Sequence, residues 1–272
     1  MIKFGNTFLN FGGTYLTGYT KNIDPYNPLD LPPYTIRLKY KQGTTPEFSK
    51  GTGIQVSQSP NIWDLTYENS NWNELLYLHV DLLEVLGANT TGVTDMHWML
   101  GNCYSLTTVP LFDTSNVTDM GAMLIDCQSL TSVPLFDTSN VTDMWIMLGD
   151  CYSLTSVPLF DTSKVTNMDE MFWRCKSLTS VPLFNTSNVT KMNSMFHECE
   201  SLTTITLFDT SKVTTMDNMF NDCTNVVSGA LAFYQQASTQ VNTPSHDNTF
   251  TNCGINTQTG AAELAQIPND WK

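Results

Sequence analysis

A cysteine returns every 24 residues along this chain, at Cys103, Cys127, Cys151, Cys175, Cys199 and Cys223. Methionines keep the same step at Met96, Met120, Met144, Met168, Met192 and Met216, and so do Val93, Val117, Val141, Val165, Val189 and Val213. Leu106, Leu130, Leu154, Leu178 and Leu202 fill a further column. A fixed period of this size means a repeat array, in which the stack of units, rather than any one unit, buries the core. The 272 residues then set how many units there are, not how many domains.

Each copy has two halves. In "SLTSVPL" the spacing L-x-x-V-x-L predicts a short strand with its apolar residues on one side. In "VTDMWIMLGDC" Met144, Met147, Leu148 and Cys151 stand at i, i+3, i+4 and i+7, the pattern of one helix face. Thr142 suits the N-cap and Asp143 the first turn. Thr166 with Asp169 and Thr214 with Asp217 resemble capping boxes. Between the halves, "FDTSN" is a turn cluster. The expected fold is an α/β repeat: a right-handed solenoid of 24-residue strand-turn-helix rungs, with eight helix slots from Trp72–His79 to His246–Cys253 and a parallel sheet opposite.

The motif C-x-x-L-x-x-V-x-L followed by N-V-T-x-M-x-x-M-F-x-x-C resembles the leucine-rich repeats of BspA-like bacterial surface proteins, relatives of the Treponema-type repeat. It is clean from about 82 to 226. The opening, with "LPPYTIRLKYKQGTTPEFSKGTGIQV" and the closing "TQTGAAELAQIPNDWK", resembles structural proteins of gut bacteriophages. The resemblances imply an interaction protein, displayed either on a virion or on a bacterial surface.

The frame degenerates at both ends. Counting back one period from Cys103 reaches His79, which then fills a core slot, and from Met96 reaches Trp72. "HDNTFTNC" matches "MDNMFNDC" after 30 residues, and the insertion "GALAFYQQAS" reads as a helix in a strand's place, covering the sheet edge. Three parts follow: a small β-rich N-terminal module over 1–57, suited to attachment; the solenoid with its degenerate end rungs over 58–253; and a cap over 254–272 that uses Ile267 and Trp271.

Composition and spacing exclude several functions. The net charge is −14 with only two arginines, so there is no cluster of cations to track nucleic acid or an anionic membrane. No apolar run is long enough to span a bilayer, and the start lacks the pattern of a secretory signal. The histidines at 79, 97, 197 and 246 share no recognised spacing with a nucleophile or carboxylate, so neither catalysis nor a cofactor is expected. The cysteine column could form disulfides or hold metal, but parallel side chains do not face each other, and buried thiols fit better. Cys151→Ser is then expected to bury a hydroxyl without a partner. The column Asp113, Asp137, Asp161, Asn185 and Asp209 could be a calcium ladder, but Asx-turns to the local backbone are the simpler reading.

The columns that vary lie on the helix side and are expected to point outward. There the candidate binding residues are Trp98, Ile125, Trp145, Ile146 and Trp173, an apolar ridge of the kind that marks contacts. The sheet face, built of Thr, Ser and Pro, is expected to be quieter. The function this supports is a non-enzymatic virion appendage, a fibre or decoration, meeting other virion proteins or a host surface protein or glycan. Self-association is compatible with it, and the alternative is a BspA-like extracellular adhesin on a bacterial surface.

Overall fold

The computed structural model describes residues 31–241 and 243–272 throughout, and before them the backbone of three short strands. These are β1 (Lys3–Phe4), β2 (Thr7–Leu9) and β3 (Tyr15–Leu16), an antiparallel meander. The remainder of 1–30, with the start of the proline-rich "DPYNPLDLPPY", lies outside the described residues. A second sheet contains β4 (Thr35–Tyr40), β5 (Thr52–Gln58), β6 (Asn61–Thr66) and β7 (Leu82–Asn89), in the order β5-β6-β4-β7 and antiparallel throughout. Its inner strand β4 is buried along most of its length, and the bidentate pair of Arg37 with Asp64, 2.7 Å at both contacts, satisfies the charge it carries inside. β7 also meets the first regular copy in parallel, through Glu84 and Thr108. The N-terminal sheet therefore closes the open edge of the array, and it runs across the boundary expected at 57/58.

From this sheet the copies stack, but not as strand-turn-helix units. A helix bonds each N–H to the carbonyl four residues back. Here Met120, Ala122, Leu124 and Asp126 donate instead to Asp143, Trp145, Met147 and Gly149 of the next copy, at 3.1, 2.7, 3.0 and 2.7 Å. The N–H groups of Met123, Ile125 and Cys127 close turns onto Met120, Ala122 and Leu124. Two residues per copy, four apart, take left-handed φ: Ala122 (53°) and Asp126 (58°), then Ile146 (48°) and Asp150 (56°), and so on to Asn248 and Asn252. The eight expected helices are thus runs of linked turns. The reason is spacing. Strand-paired units lie ~4.8 Å apart, whereas packed helices need 8–10 Å; a chain of turns is flat enough to stack and leaves alternate N–H groups free for the next copy.

The strand half is corrected as well. In the central copies "SLTSVPL" forms no strand, and its cross-copy bonds are long, with Thr155 N to Thr131 O and Thr179 N to Thr155 O both at 3.4 Å. Pro134, Pro158 and Pro182 bring no N–H to a ladder. Parallel pairing along the array runs through one column instead, Asp95, Asp119, Asp143, Asn167, Lys191 and Thr215, with strand-half bridges only near the ends, at Glu84 with Thr108 and Thr204 with Ser228. Beside it, the threonines 118, 142, 166, 190 and 214 each donate their N–H to the preceding threonine's carbonyl, at 2.8–2.9 Å.

The core is made of columns. The valines, both methionine rows and the cysteines of the frame are fully or almost fully buried. Phe112 stacks on Phe136 with centroids 5.8 Å apart, and Phe172, Phe196, Phe220 and Phe250 continue a second pile at 5.4–5.7 Å. Thr114, Thr138, Thr162 and Thr186 are buried too, each hydroxyl donating at 2.8 Å to the carbonyl of the acidic-column residue one copy on. At the far end α1 (Ala230–Ser238) replaces the strand half and plants Phe233 against Phe220. Then α2 (Gln258–Leu264) and a final 3-10 turn at Asn269–Trp271 cover the last copy, where Phe250 N donates to Trp271 O at 2.9 Å.

Candidate interaction site

The stacked V-P-L segments expose what the spacing placed inside. Phe136 N donates back to Pro134 O at 3.0 Å, and Phe160 N to Pro158 O at 3.1 Å. Each bond closes a three-residue turn with a leucine at its apex, and the apex side chain faces away from the turn. Phe208 N donates likewise to Thr206 O at 3.0 Å. Leu111, Leu135, Leu159, Leu183 and Leu207 are 65, 58, 59, 63 and 48% exposed, while the phenylalanine that follows each is buried. Since the copies are in register, the five leucines form one ridge along the stack. An unbroken apolar stripe of this kind marks a contact surface, where scattered leucines would not.

Two residues beyond each leucine stands the acidic column. Asp113, Asp137, Asp161 and Asp209 are exposed, and Oδ1 of each accepts from the backbone N–H of the serine two residues on, at 3.2, 3.0, 3.0 and 2.9 Å. These are Asx-turns, and Asn185 makes the same turn. Hydrogen bonds from the serine side chain and backbone hold the carboxyls of Asp137, Asp161 and Asp209 below the usual range, so these three are charged at neutral pH. On the ridge's other flank are exposed Thr and Ser pairs such as Thr131-Ser132 and Thr155-Ser156.

The residues expected to line the opposite, variable face do come together, but largely to bury one another. Ala122, Ile125 (8% exposed) and Ile146 (4%) form a small apolar cluster apart from the main core, and Trp98, Trp145 and Trp173 pack around it, partly buried. Trp98 meets Trp145 edge-on at 6.3 Å, and His97 lies parallel to Trp145 at 6.0 Å. Ile125 and Ile146 are therefore not outward-pointing contacts. The cause is the turn geometry: with left-handed φ at Trp98 (56°) and Ile146, their side chains fold over the neighbouring copy. Space for them comes from missing side chains, since a Cβ on Gly149 would lie 2.5 Å from Ile146 Cγ1 and one on Gly121 2.6 Å from His97 Nδ1. At the cluster's rim burial raises the Glu170 carboxyl, partly offset by a hydrogen bond from Trp145.

The cysteine column offers little reactivity. All seven thiols are buried and free. Each regular one donates to a carbonyl of the preceding copy, Cys151 to Leu124 O at 3.2 Å and Cys175 to Leu148 O at 3.1 Å. The expectation that a hydroxyl in this slot lacks a partner is therefore corrected: Leu124 O supplies one. Burial pushes the thiols of Cys103, Cys151 and Cys253 up to about 12. His79, in the equivalent slot of the first copy, bonds Tyr40 Oη at 2.6 Å and stacks on Phe48, joining the array to its N-terminal sheet. Among the described residues no group of three or more His, Cys, Asp or Glu is placed to hold a metal, and no helix is long and apolar enough to cross a membrane.

No curated protein matches the sequence. Among solved structures, a leucine-rich repeat protein from Eubacterium ventriosum ATCC 27560 aligns at 23% identity and a TM-score of 0.39, over 50% of this chain and 36% of that one. The match thus spans about a third of that protein's length. A T. pallidum leucine-rich repeat protein aligns at 14% identity and a TM-score of 0.38, over 64% of this chain and 78% of the other. The repeat motif is similar to the BspA-like leucine-rich repeat. Residues 80–180 and 153–255, together more than half of the chain, match the family described as "Mycoplasma protein of unknown function, DUF285", and the chain belongs to that family.

Proposed function

We propose that this protein is a non-enzymatic interaction protein, a right-handed solenoid displayed on a virion appendage, and that it makes contact through the leucine ridge. The observation that carries this reading is the in-register exposure of Leu111, Leu135, Leu159, Leu183 and Leu207, apolar area that a free surface does not favour. The partly exposed rims of Trp98, Trp145 and Trp173 form a lesser surface on the opposite side. The virion setting rests on the resemblance of both ends of the chain to phage structural proteins. A bacterial surface adhesin would present the same ridge.

Two folded double variants test the face: Leu135→Ser with Leu159→Ser, against Trp145→Ala with Trp173→Ala. Attachment of particles to host cells, and incorporation of the protein into particles, are measured for each. The leucine pair is expected to abolish one or both. Loss confined to the tryptophan pair would mean that contact is made on the turn side. Antibody labelling of purified particles and of bacterial envelopes tests the setting, and label found only on envelopes overturns the virion assignment.

A further inference from the structure

The ridge has a length, a spacing and a charged flank, and together these describe a partner. We infer that it receives an amphipathic helix of about four turns, carrying an apolar stripe with basic residues along one edge; this rests on the leucine ridge being the contact face.

Length and spacing come first. Five leucines span four steps of ~4.8 Å, or ~19 Å. Thirteen residues of helix cover ~19.5 Å, and the apolar stripe of a helix returns about every 5.4 Å, so four steps accumulate a mismatch of only ~2.4 Å. An extended strand laid along the ridge presents same-side residues every ~6.7 Å and is ~8 Å out of step after four. A helix therefore seats its side chains between successive leucines, and a strand does not.

Charge selects among helices. The acidic column follows the ridge at a constant two residues and carries Asp113, Asp137, Asp161 and Asp209, with uncharged Asn185 at the fourth of the five positions. Two cations stand near it, and Lys164 and Lys212 help a little to hold down Asp161 and Asp209. Their Nζ atoms donate to Asn140 Oδ1 and Asn188 Oδ1, both at 2.7 Å, and four carboxylates against two ammonium groups leave the flank negative. The partner's matching edge is then positive, with its charge least needed opposite the fourth position. A second copy of this chain fits poorly as occupant, since it brings the same acidic column and a net charge of −14.

The test uses the full chain and two synthetic 14-residue helical peptides with one leucine stripe, flanked in one by lysines and in the other by glutamates. Binding is followed by fluorescence anisotropy. The lysine peptide is expected to bind at least tenfold tighter than the glutamate peptide, and to weaken about tenfold between 50 and 500 mM salt. Asp137→Asn with Asp161→Asn should cost about tenfold and leave the fold intact by circular dichroism. Leu135→Ser with Leu159→Ser should abolish binding although every charge remains. Equal affinity for the two peptides, or an Asn variant that binds like the parent, overturns the inference and leaves the ridge as contact face. A leucine variant that binds like the parent overturns both. Concentration-dependent dimerisation of the free protein that the leucine variant removes makes a second copy the occupant, and also overturns it.

Discussion

The two long sides of the stack solve opposite problems. On the V-P-L side the copies are nearly uniform, the last reading Ile205-Thr206-Leu207, and the same leucine is exposed each time. On the turn side the residues differ from copy to copy, and the large apolar ones hide against each other: Ile146 beside Ala122 and Ile125, with three tryptophans around them. Variation was expected to mark the working surface and uniformity a quiet one. The backbone reverses the exposure on which that expectation was built. Exposure in a stack is decided by where the turn apex lies, and an identical apex in every copy makes a continuous surface, whereas varied neighbours can fit together and close over.

If the turn-side cluster is packed in this way, Trp145→Ala should destabilise the fold most, by about 2–4 kcal/mol, toward the lower end for a partly buried tryptophan. Urea denaturation measures it, and an unchanged midpoint would return these residues to the surface. A second effect belongs to the slot where the cysteine column gives way to His79. Burial lowers its pKa from the ordinary 6.5 to about 4. The unfolded chain therefore takes up this proton first, so His79 weakens the fold as pH falls from about 6.5 toward 4 and contributes no slope above that window. The size is on the order of 2 kcal/mol after allowing for its partial exposure. Asp150, Asp169 and Glu170, raised mainly by burial, act in the opposite direction, so the quantity to measure is the pH profile of the parent minus that of His79→Gln.

Smaller effects sharpen the contrast between a constant column that is buried and one that is exposed. Cys151→Ser should cost no more than about 1 kcal/mol, because Leu124 O accepts from the new hydroxyl as it does from the thiol. A thermal melt of the variant decides it, and a loss of several kcal/mol would show that the slot tolerates no oxygen. The parent's thiols should resist labelling at pH 8 until the chain is unfolded. Leu135→Ser and Leu159→Ser should each stay within about 0.5 kcal/mol of the parent in stability. A larger drop would mean that the ridge is part of the fold itself.

The frame was legible because equivalent slots in a stack share one environment, so Val, Met, Leu and Cys columns could be assigned to the core by register alone. Helix could not be told from linked turns, because Met144, Met147, Leu148 and Cys151 face inward in either. The clue lay in the other residues: Asn102, Asp126, Asp150, Asp222 and Asn252 recur at a left-handed position, and their short polar side chains tolerate it. The leucine ridge was missed for a related reason. Val133 and Leu135 are two residues apart and share a side in any strand, but Pro134 and the turn closed by Phe136 rotate the leucine outward. His79 needed only the count of 24 to be placed in a core slot, yet its bond to Tyr40 joins segments that no periodicity links.

The turn-side bonds have a mechanical meaning. Met120, Ala122, Leu124 and Asp126 all donate toward the next copy, nearly along the stack. Tension between the two ends would load those bonds lengthwise, one copy after another in series, and the weakest junction would yield first while its neighbours held. Such a rod is expected to lengthen under force in discrete steps, each releasing one copy.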